Sequence, residues 1–194
     1  SLELLALVAN TIALDIENIR LRRLAQTDSL TGAYNRQYLE HCLPDMVAEA
    51  HAGNQSLCVA MLDVDHFKRV NDEHGHDVGD MVLAEISRRL DEASRSHDVL
   101  VRYGGEEFLL LLPGANLATA SGIADRMRVQ LANNALELKT SDTGARLALE
   151  VRISAGVAEL GPNESPEQLF KRADQALYVA KANGRNRIEV AEAP

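Results

Sequence analysis

Two adjacent carboxylates, Glu106 and Glu107, directly follow two glycines, Gly104 and Gly105, and apolar segments lie on both sides of these four residues. The apolar segments predict two strands, and a two-residue Gly-Gly connection is typical of a tight hairpin, because glycine adopts the required backbone angles freely. Carboxylates beside a turn without side chains have the chemistry to bind magnesium and a phosphate chain. An ordinary hairpin with a charged, solvated end fits the same residues, so this motif alone leaves both interpretations open.

A third carboxylate, Asp63, ends an apolar segment at residues 57–63 that predicts a buried strand. In a ferredoxin-like sheet this strand is the neighbour of the strand that begins at Glu106, so the two side chains are expected to meet at one end of the sheet. Two carboxylates and a backbone carbonyl, such as that of Val64, form part of an oxygen shell for magnesium and leave positions for substrate phosphates. This set of groups predicts phosphoryl or nucleotidyl transfer, in which the metal polarises a phosphate and activates an attacking hydroxyl.

Three basic residues are candidates for binding those phosphates. Lys68 follows Asp63 closely, and Lys181 and Arg185 lie at the end of the last predicted helix. A triphosphate needs several cations at defined places, which these side chains provide. Basic residues are also common at helix C-termini because the helix dipole favours them, so that alternative stays open for Lys181 and Arg185.

Asn71 and Asp80 flank a predicted polar loop, and both side chains suit the edge of a purine. A carboxylate accepts hydrogen bonds from the N1 and N2 donors of guanine, which adenine lacks. Capping of the following helix is the alternative role for Asp80. Nearby histidines at positions 66, 74 and 76 do not have the spacing of a zinc site, and we interpret them as loop or packing residues.

Composition sets limits on the class of protein. The chain has 194 residues, is 46% hydrophobic and carries a formal net charge of -9, which allows one well-buried domain with an appendage. The negative charge argues against binding DNA or RNA over a broad basic surface. The two cysteines form no disulfide framework and indicate a reducing compartment. With no signal peptide and no apolar run long enough to span a bilayer, we expect a cytoplasmic domain, whose parent protein could be membrane-attached elsewhere.

The N-terminal residues 1–24 contain no Gly or Pro and repeat apolar side chains in alternating steps of three and four. This pattern predicts a coiled-coil or signalling helix, with a helix packed on the same domain as the alternative. Turn and capping residues at 27–32 mark a boundary, so the predicted domains are residues 1–24 and 25–194.

The rest of the chain predicts the order strand, helix, strand, strand, helix, strand, with additions. This order is typical of an α+β fold with a ferredoxin-like, mainly antiparallel sheet and helices on one face. The predicted elements are a helix capped by Asn35 and running to about residue 50, the strand 57–63, the loop 71–80, the helix 78–93, the hairpin strands 99–103 and 108–112, the helix 117–133, an ill-defined segment 135–144, the strand 148–159, a helix from the 161–165 loop to about residue 182, and the edge strand 188–190.

Together these motifs resemble the GGDEF family of diguanylate cyclases, here with the GGEEF spelling, over about residues 27–186. The matching segments are DSLTG at 28–32, NR at 35–36, DVDHFK at 63–68, ND at 71–72, GHDVGD at 75–80, RYGGEEF at 102–108, KRAD at 171–174 and KANGRN at 181–186. Ser29 replaces a proline that is frequent in the family, at a turn position remote from the chemistry. Residues 1–24 resemble the last helix of a GAF-type sensor domain.

The resemblance implies a ferredoxin-like palm of the nucleotidyl cyclase and polymerase type that uses GTP. Each subunit is expected to bind one GTP with two Mg²⁺ or Mn²⁺ ions, held by Asp63, Glu106 and the Val64 carbonyl, while Glu107 assists as a metal ligand or proton acceptor. The implied substrate-binding residues are Phe67, Lys68, Asn71, Asp80, Gly104, Gly105, Lys181 and Arg185. Two subunits would meet antiparallel, and each 3′-hydroxyl would attack the other α-phosphate, which releases two pyrophosphates and forms cyclic di-GMP.

Arg95 and Asp98 stand at the spacing of the inhibitory RxxD site of the family, with Arg126 as a further contributor. The resemblance implies that cyclic di-GMP binds there as product and inhibitor, whereas by chemistry alone the pair is an ordinary surface ion pair. The expected partners are GTP, cyclic di-GMP, a second copy of the chain and an upstream sensor domain, but no DNA or RNA.

Two rival functions follow from the same residues. A binding module of this family would sense GTP or cyclic di-GMP without catalysis, although its hairpin would be expected to be damaged, and here it is intact. A related cyclase would use ATP or make a mixed dinucleotide. Asp80 argues against that reading, because a site built for guanine donors rejects a base that lacks them.

Overall fold

The computed structural model describes residues 25–53, 55–139, 144 and 146–193, together with the single positions Thr11, Ile12, Leu14 and Glu17. These four positions are helical. The rest of the predicted N-terminal helix at 1–24 lies outside the described residues, as does most of the ill-defined segment after residue 139. In the part of the chain that is described, no helix is both long enough and apolar enough to cross a membrane.

Five helices and seven strands follow residue 25 in the described part of the chain. The helices are α1 (Arg36–His51), α2 (Phe67–His74), α3 (His76–Ala93), α4 (Leu117–Asn133) and α5 (Pro166–Ala182). The strands are β1 (Leu57–Val64), β2 (Val99–Arg102), β3 (Glu107–Pro113), β4 (Leu136–Lys139), β5 (Arg146–Leu149), β6 (Ile153–Glu159) and β7 (Ile188–Val190).

The main sheet has the strand order β2-β3-β1-β6-β7, and β4 and β5 form a separate hairpin. All neighbours in the main sheet are antiparallel except β6 and β7, which are parallel. The strands β2, β3, β1 and β6 have the order of a ferredoxin-like sheet, to which β7 adds an edge. The predicted α+β class and the mainly antiparallel sheet are therefore confirmed.

Helices cover both faces of the sheet, so the expectation of helices on one face is wrong. Every residue of the central strand β1 is buried, and its side chains alternate between two hydrophobic clusters. Leu62 and its face pack against α3 and α4, whereas Met61 and its face pack against α1 and α5. A strand that is apolar on both faces needs a helical layer on each side.

The caps of two helices agree with the sequence. The Asn35 side chain accepts a hydrogen bond from the Tyr38 amide at the start of α1, and Ser165 forms a capping box with Gln168 at the start of α5.

Two other predictions are wrong. The segment 71–80 is helical on both sides of Gly75, where φ is +85°, and the predicted strand 148–159 is divided at residues 150–152.

Close packing of α5 on β6 depends on Gly156. A Cβ atom on Gly156 would lie 2.0 Å from the Ala173 carbonyl oxygen and 2.2 Å from the Leu177 nitrogen, both in the backbone of α5. The helix therefore lies directly against the strand, and its C-terminal end, with Lys181, reaches the end of β1.

Gly156→Ala is expected to destabilise the domain by roughly 2–4 kcal/mol, because a methyl group has no room against the helix backbone. Gly122→Ala is the matched control, since Gly122 is an exposed residue of α4 with no atom near its missing Cβ. There the same change is expected to stabilise the helix by up to about 1 kcal/mol. Urea unfolding measures both, and equal midpoints for the two variants would contradict this packing.

Candidate active site

Asp63 and Glu106 meet at one end of the sheet, as the sequence predicts. Asp63 pairs with Glu107 in the register of β1 and β3, and the Val64 amide donates a 3.2 Å hydrogen bond to the Glu106 carbonyl. The Asp63 residue is only 6% exposed, and its Oδ2 lies 2.8 Å from the Lys181 ammonium nitrogen. The structure thus brings two carboxylates and one cation from three distant segments into one site.

Burial dominates the electrostatics of the two carboxyl groups. It raises the pKa of Asp63 above the ordinary value, and the hydrogen bond and charge of Lys181 oppose this rise without cancelling it. Burial, and then repulsion from Asp63, also raises the pKa of Glu106. Because both groups resist ionisation, a further cation between them would stabilise the ionised pair.

Arg185 lies three residues beyond the end of α5 and is exposed. Its charge also lowers the pKa of Asp63, which places its guanidinium within electrostatic reach of the carboxylates. Lys68 is exposed in the first turn of α2, next to Phe67. The Phe67 side chain is buried in the core, so only its backbone is available to a ligand.

The glycine turn differs from the predicted two-residue hairpin. Both the Tyr103 and the Gly104 amides donate to the Glu107 carbonyl, at 2.9 and 3.2 Å, and four residues, 103–106, connect the strands. Neither Gly104 nor Gly105 has a left-handed φ. The missing side chain at Gly104 makes room for Glu107, because a Cβ there would lie 2.6 Å from Glu107 Oε2 and would require that carboxylate to move. A Cβ at Gly105 would meet open space, so the turn is open to a ligand on that side.

Arginines hold this turn in place, a role that sequence reasoning missed. Arg102 bonds Asp28 through Nη1 at 2.9 Å and the Gly105 carbonyl through Nη2 at 2.9 Å. Arg36 donates a 2.6 Å hydrogen bond to the Tyr103 carbonyl, and its guanidinium lies 4.3 Å from the centre of the Tyr103 ring. Asp28, Arg36 and Arg102 each belong to a sequence motif, and this was the only sign of their importance. The contact between Asp28 and Arg102 could not be predicted, because no local sequence pattern indicates a contact between residues so far apart in the chain.

Asn71 and Asp80 lie on adjacent helices rather than on a loop. Asn71 Oδ1, on α2, is a buried side-chain oxygen without a hydrogen-bond partner among the described residues. It packs against Gly79 of α3, where a Cβ would lie 1.8 Å away. Asp80 is exposed on α3, and it does not cap that helix, because the N-cap is Gly75. A buried acceptor without a donor needs a ligand or water to satisfy it.

The inhibitory-site residues form a compact group at the other end of β2. Arg95 Nη2 lies 2.7 Å from Asp98 Oδ1, and the Asp98 side chain is fully buried. Asp98 Oδ2 also accepts a 2.8 Å hydrogen bond from the Arg95 amide. Arg126 of α4 donates to the carbonyl of Ala93, two residues before Arg95, so the three predicted residues lie near one another.

The donor set fits a hard divalent cation. No group of three or more His, Cys, Asp or Glu side chains forms a closed metal cage within the described ranges. Two carboxylates with a nearby backbone carbonyl match the partial shell that magnesium uses, since this ion keeps waters and substrate phosphates as its other ligands. Zinc would require more nitrogen or sulfur ligands than this site offers.

The strand order, in which the end of β1 with Asp63 lies beside the start of β3 next to Glu106, is that of a palm-type fold. The family model for the GGDEF domain of diguanylate cyclases matches residues 25–187. The chain is 42% identical to the response regulator PleD of Caulobacter vibrioides over 166 residues, which are 85% of this chain and 36% of PleD. The chain therefore belongs to the GGDEF family, as the sequence predicted, and spans only about a third of that relative.

Two solved structures are similar over nearly the whole chain. The coiled coil and GGDEF domain of DgcB from Caulobacter crescentus, in complex with c-di-GMP, has a TM-score of 0.84 and 33% identity, with 97% of each chain covered. The diguanylate cyclase SiaD from Pseudomonas aeruginosa, in complex with its activator SiaC, has a TM-score of 0.81 and 38% identity. This match covers 98% of the present chain and 72% of SiaD.

The raised pKa values set a direction for the pH dependence of stability. A carboxyl group with a higher pKa in the folded than in the unfolded chain binds more protons when folded. Asp63 and Glu106 therefore reduce stability as the pH rises from about 4 through their raised pKa values, and they oppose folding at neutral pH without a metal.

Glu106→Gln is expected to raise the midpoint of thermal unfolding by roughly 1–3 °C near neutral pH in metal-free buffer, because the neutral amide avoids the cost of burying a charge and removes the repulsion with Asp63. The difference should shrink near pH 4, where the carboxyl groups are protonated. Added Mg²⁺ should stabilise the wild type but not the variant. Glu137→Gln, at an exposed position of β4, is the control and should change nothing. An unchanged or lower midpoint for Glu106→Gln would rule out the repulsion.

Proposed function

We propose that this domain is a diguanylate cyclase that condenses two GTP molecules into cyclic di-GMP and releases two pyrophosphates. The observation that carries the proposal is the buried Asp63 carboxylate beside Glu106, with Lys181 paired to it at 2.8 Å. Carboxylates with raised pKa values that converge beside cations and an open glycine turn are typical of functional sites. They suit a substrate that brings both metal ions and a phosphate chain.

Two Mg²⁺ or Mn²⁺ ions would be held by Asp63, Glu106 and the Val64 carbonyl, and they would polarise the α-phosphate and lower the pKa of the attacking 3′-hydroxyl. The residues of the chain orient the substrate and balance its charge. Glu107 lies beside the turn and is the further metal ligand or proton acceptor. Gly105 leaves space for the nucleotide to approach the backbone, and Gly104 leaves space for the Glu107 side chain.

Lys181 has two roles in succession. Without nucleotide its ammonium neutralises Asp63, which keeps the buried carboxylate ionised. In the presence of GTP and its metal ions, the ammonium would be free to leave Asp63 and donate hydrogen bonds to the phosphates, where Arg185 and Lys68 would add positive charge. The site thereby exchanges one counter-ion for another without leaving a buried charge unpaired.

Asn71 and Asp80 are the residues that would recognise guanine. The unpaired Oδ1 of Asn71 needs a donor, and the exposed carboxylate of Asp80 accepts two hydrogen bonds at once. Guanine offers adjacent N1 and N2 donors, whereas adenine offers none at these positions. This difference in hydrogen-bond donors favours GTP over ATP as the substrate, and it argues against the alternative of a cyclase that uses ATP.

Each domain supplies one hairpin and therefore one GTP, so the enzyme acts as an antiparallel homodimer. The product binds at Arg95, Asp98 and Arg126 and inhibits the enzyme. Asp98 is fully buried while the Arg95 side chain is 37% exposed, so Arg95 offers the first contact to a phosphate of the product. The similarity to DgcB, whose structure contains c-di-GMP, supports product binding.

We propose that residues 1–24 transmit the signal of an upstream sensor domain to the cyclase domain. The similarity to DgcB extends over its coiled coil, since 97% of both chains is covered, and this supports the assignment. A domain that consumes GTP works in the cytoplasm, whatever membrane attachment the parent protein has.

Asp63→Asn and Glu106→Gln are each expected to lower the rate of cyclic di-GMP formation by at least about 100-fold, because each removes a charged metal ligand. The assay is incubation with GTP and Mg²⁺ at high protein concentration, with separation of the products by chromatography. Glu137→Gln should retain full activity. Retained activity in both site variants would refute the metal assignment. Measurable GTP binding by a wild type that forms no product would favour a sensor, and equal rates with ATP would refute guanine selection.

Activity per molecule is expected to rise with protein concentration, because a subunit with one GTP cannot complete the reaction alone. The measurement is specific activity over a dilution series, with sedimentation velocity on the same samples. Specific activity that stays constant while the protein sediments as a monomer would contradict the half-site mechanism.

A further inference from the structure

The turn between α5 and β7 has a strained backbone. Arg185 has φ +60° and Asn186 has φ +47°, so two successive residues with side chains occupy the left-handed region, directly after Gly184 with φ +105°. Residues other than glycine rarely adopt this conformation, and it persists only where other interactions enforce it. The identity of those interactions matters here, because the strained turn carries Arg185.

Two charged side chains, one that follows β1 and one on α4, form hydrogen bonds with Asn186. Asp65 Oδ2, at the end of β1, accepts a 2.9 Å hydrogen bond from the Asn186 amide. Arg128 of α4 donates through Nη1 to the carbonyl and to Oδ1 of Asn186, at 3.3 and 3.2 Å. Asp65 is itself buried and held by the Ser154 hydroxyl, which donates a 2.7 Å hydrogen bond to its Oδ1.

Packing does not hold the turn on its other side. A cavity of about 440 Å³ lies there, bounded by Asp65, His66, Val70, Arg152, Arg185 and Asn186. The Arg185 amide donates a 3.1 Å hydrogen bond to the Ala180 carbonyl at the end of α5. Because an open cavity offers few van der Waals contacts, the hydrogen bonds of Asp65 and Arg128 supply the remaining restraint on the turn.

We propose that Asp65 and Arg128 are positioning residues that hold the strained Arg185–Asn186 turn and so keep Arg185 beside the site for the GTP phosphates. This inference rests on the proposed function, since it assigns the phosphate role to Arg185. It adds two residues that do not touch the substrate but act through Arg185. Their removal should weaken GTP binding and leave the chemical step nearly intact, because the two metal-binding carboxylates stay in place.

Arg128→Met is the first test, since Arg128 lies on α4, away from the carboxylates. The KM for GTP is expected to rise roughly three- to tenfold, the size of one weakened charge-assisted contact, with kcat within about twofold of the wild type. Asp125→Ala is the matched control. It removes the 2.8 Å ion pair of Arg128 on the helix surface but leaves the bonds to Asn186. An equal KM in Arg128→Met and the wild type would overturn the inference.

A double-mutant cycle identifies the route of the effect. Arg185→Met alone should raise the KM, and Arg128→Met should add nothing in that background, because residues acting through one contact are not additive. Asp65→Ala should resemble Arg128→Met, whereas Asp65→Asn should restore most of the loss. The amide of the latter still accepts from Asn186 and donates to Ser154. Additive effects in the Arg185→Met background would overturn the positioning role.

A measurement without nucleotide separates this inference from the function itself. Hydrogen exchange of the Asn186 amide, followed by NMR, should be several-fold faster in Arg128→Met and Asp65→Ala than in the wild type and Asp125→Ala. A wild type that makes no cyclic di-GMP but shows this difference would refute the proposed function and support the restraint on the turn. An active wild type with unchanged exchange in both variants would refute the inference and leave the proposed function standing.

Discussion

The ion pair between Asp63 and Lys181 is the interaction on which the rest of the site depends. A carboxylate buried at the end of a central strand is costly unless a cation accompanies it, and Lys181 provides that cation from a helix more than a hundred residues later in the chain. The helix reaches this position because Gly156 lets α5 lie directly on β6. The close packing of α5 on β6 is therefore also what brings the Lys181 charge to the buried Asp63 carboxylate.

The features that would suit this end of the sheet to a charged ligand reduce the stability of the fold. The pKa values of Asp63 and Glu106 are both raised, so without a cation between them the pair works against folding at neutral pH. The turn at Arg185 and Asn186 adds backbone strain next to the same site. Apolar packing on both faces of β1 offsets these costs, which is a common balance in sites that must bind charged ligands.

Sequence patterns predicted much of the fold because its signals are local. The apolar run of β1, the amphipathic α4 and the cap at Asn35 are each contained within one short segment, and all are confirmed. The helix α2 was missed because it is only eight residues long and has only two apolar side chains, Phe67 and Val70, so its sequence resembles a polar loop. The break between β5 and β6 was missed because apolar and polar residues continue to alternate across it, from Leu149 to Ile153, as they do in a strand.

Some features of the site were likewise predicted from the sequence, and others were not. Asp63, Glu106, Lys181 and Arg185 could be named in advance because the resemblance supplied their order along the chain, and the structure brings them together. The ion pair of Lys181 with Asp63, the ion pair of Asp28 with Arg102, and the hydrogen bond from the Asn186 amide to Asp65 could not be predicted from the sequence. Each depends on contacts between residues far apart in the chain, for which no local pattern exists.

The most direct measurement is the affinity for Mn²⁺ alone, followed by the loss of the free-ion signal in electron paramagnetic resonance. Wild type, Lys181→Met and Asp63→Asn would be compared without nucleotide. If Lys181 is the resident counter-ion of the metal site, Lys181→Met should bind Mn²⁺ more tightly than the wild type, because the competing charge is gone, and Asp63→Asn should lose binding. Weaker or unchanged binding by Lys181→Met, or binding by Asp63→Asn as tight as the wild type, would contradict the assignment of this carboxylate to the metal.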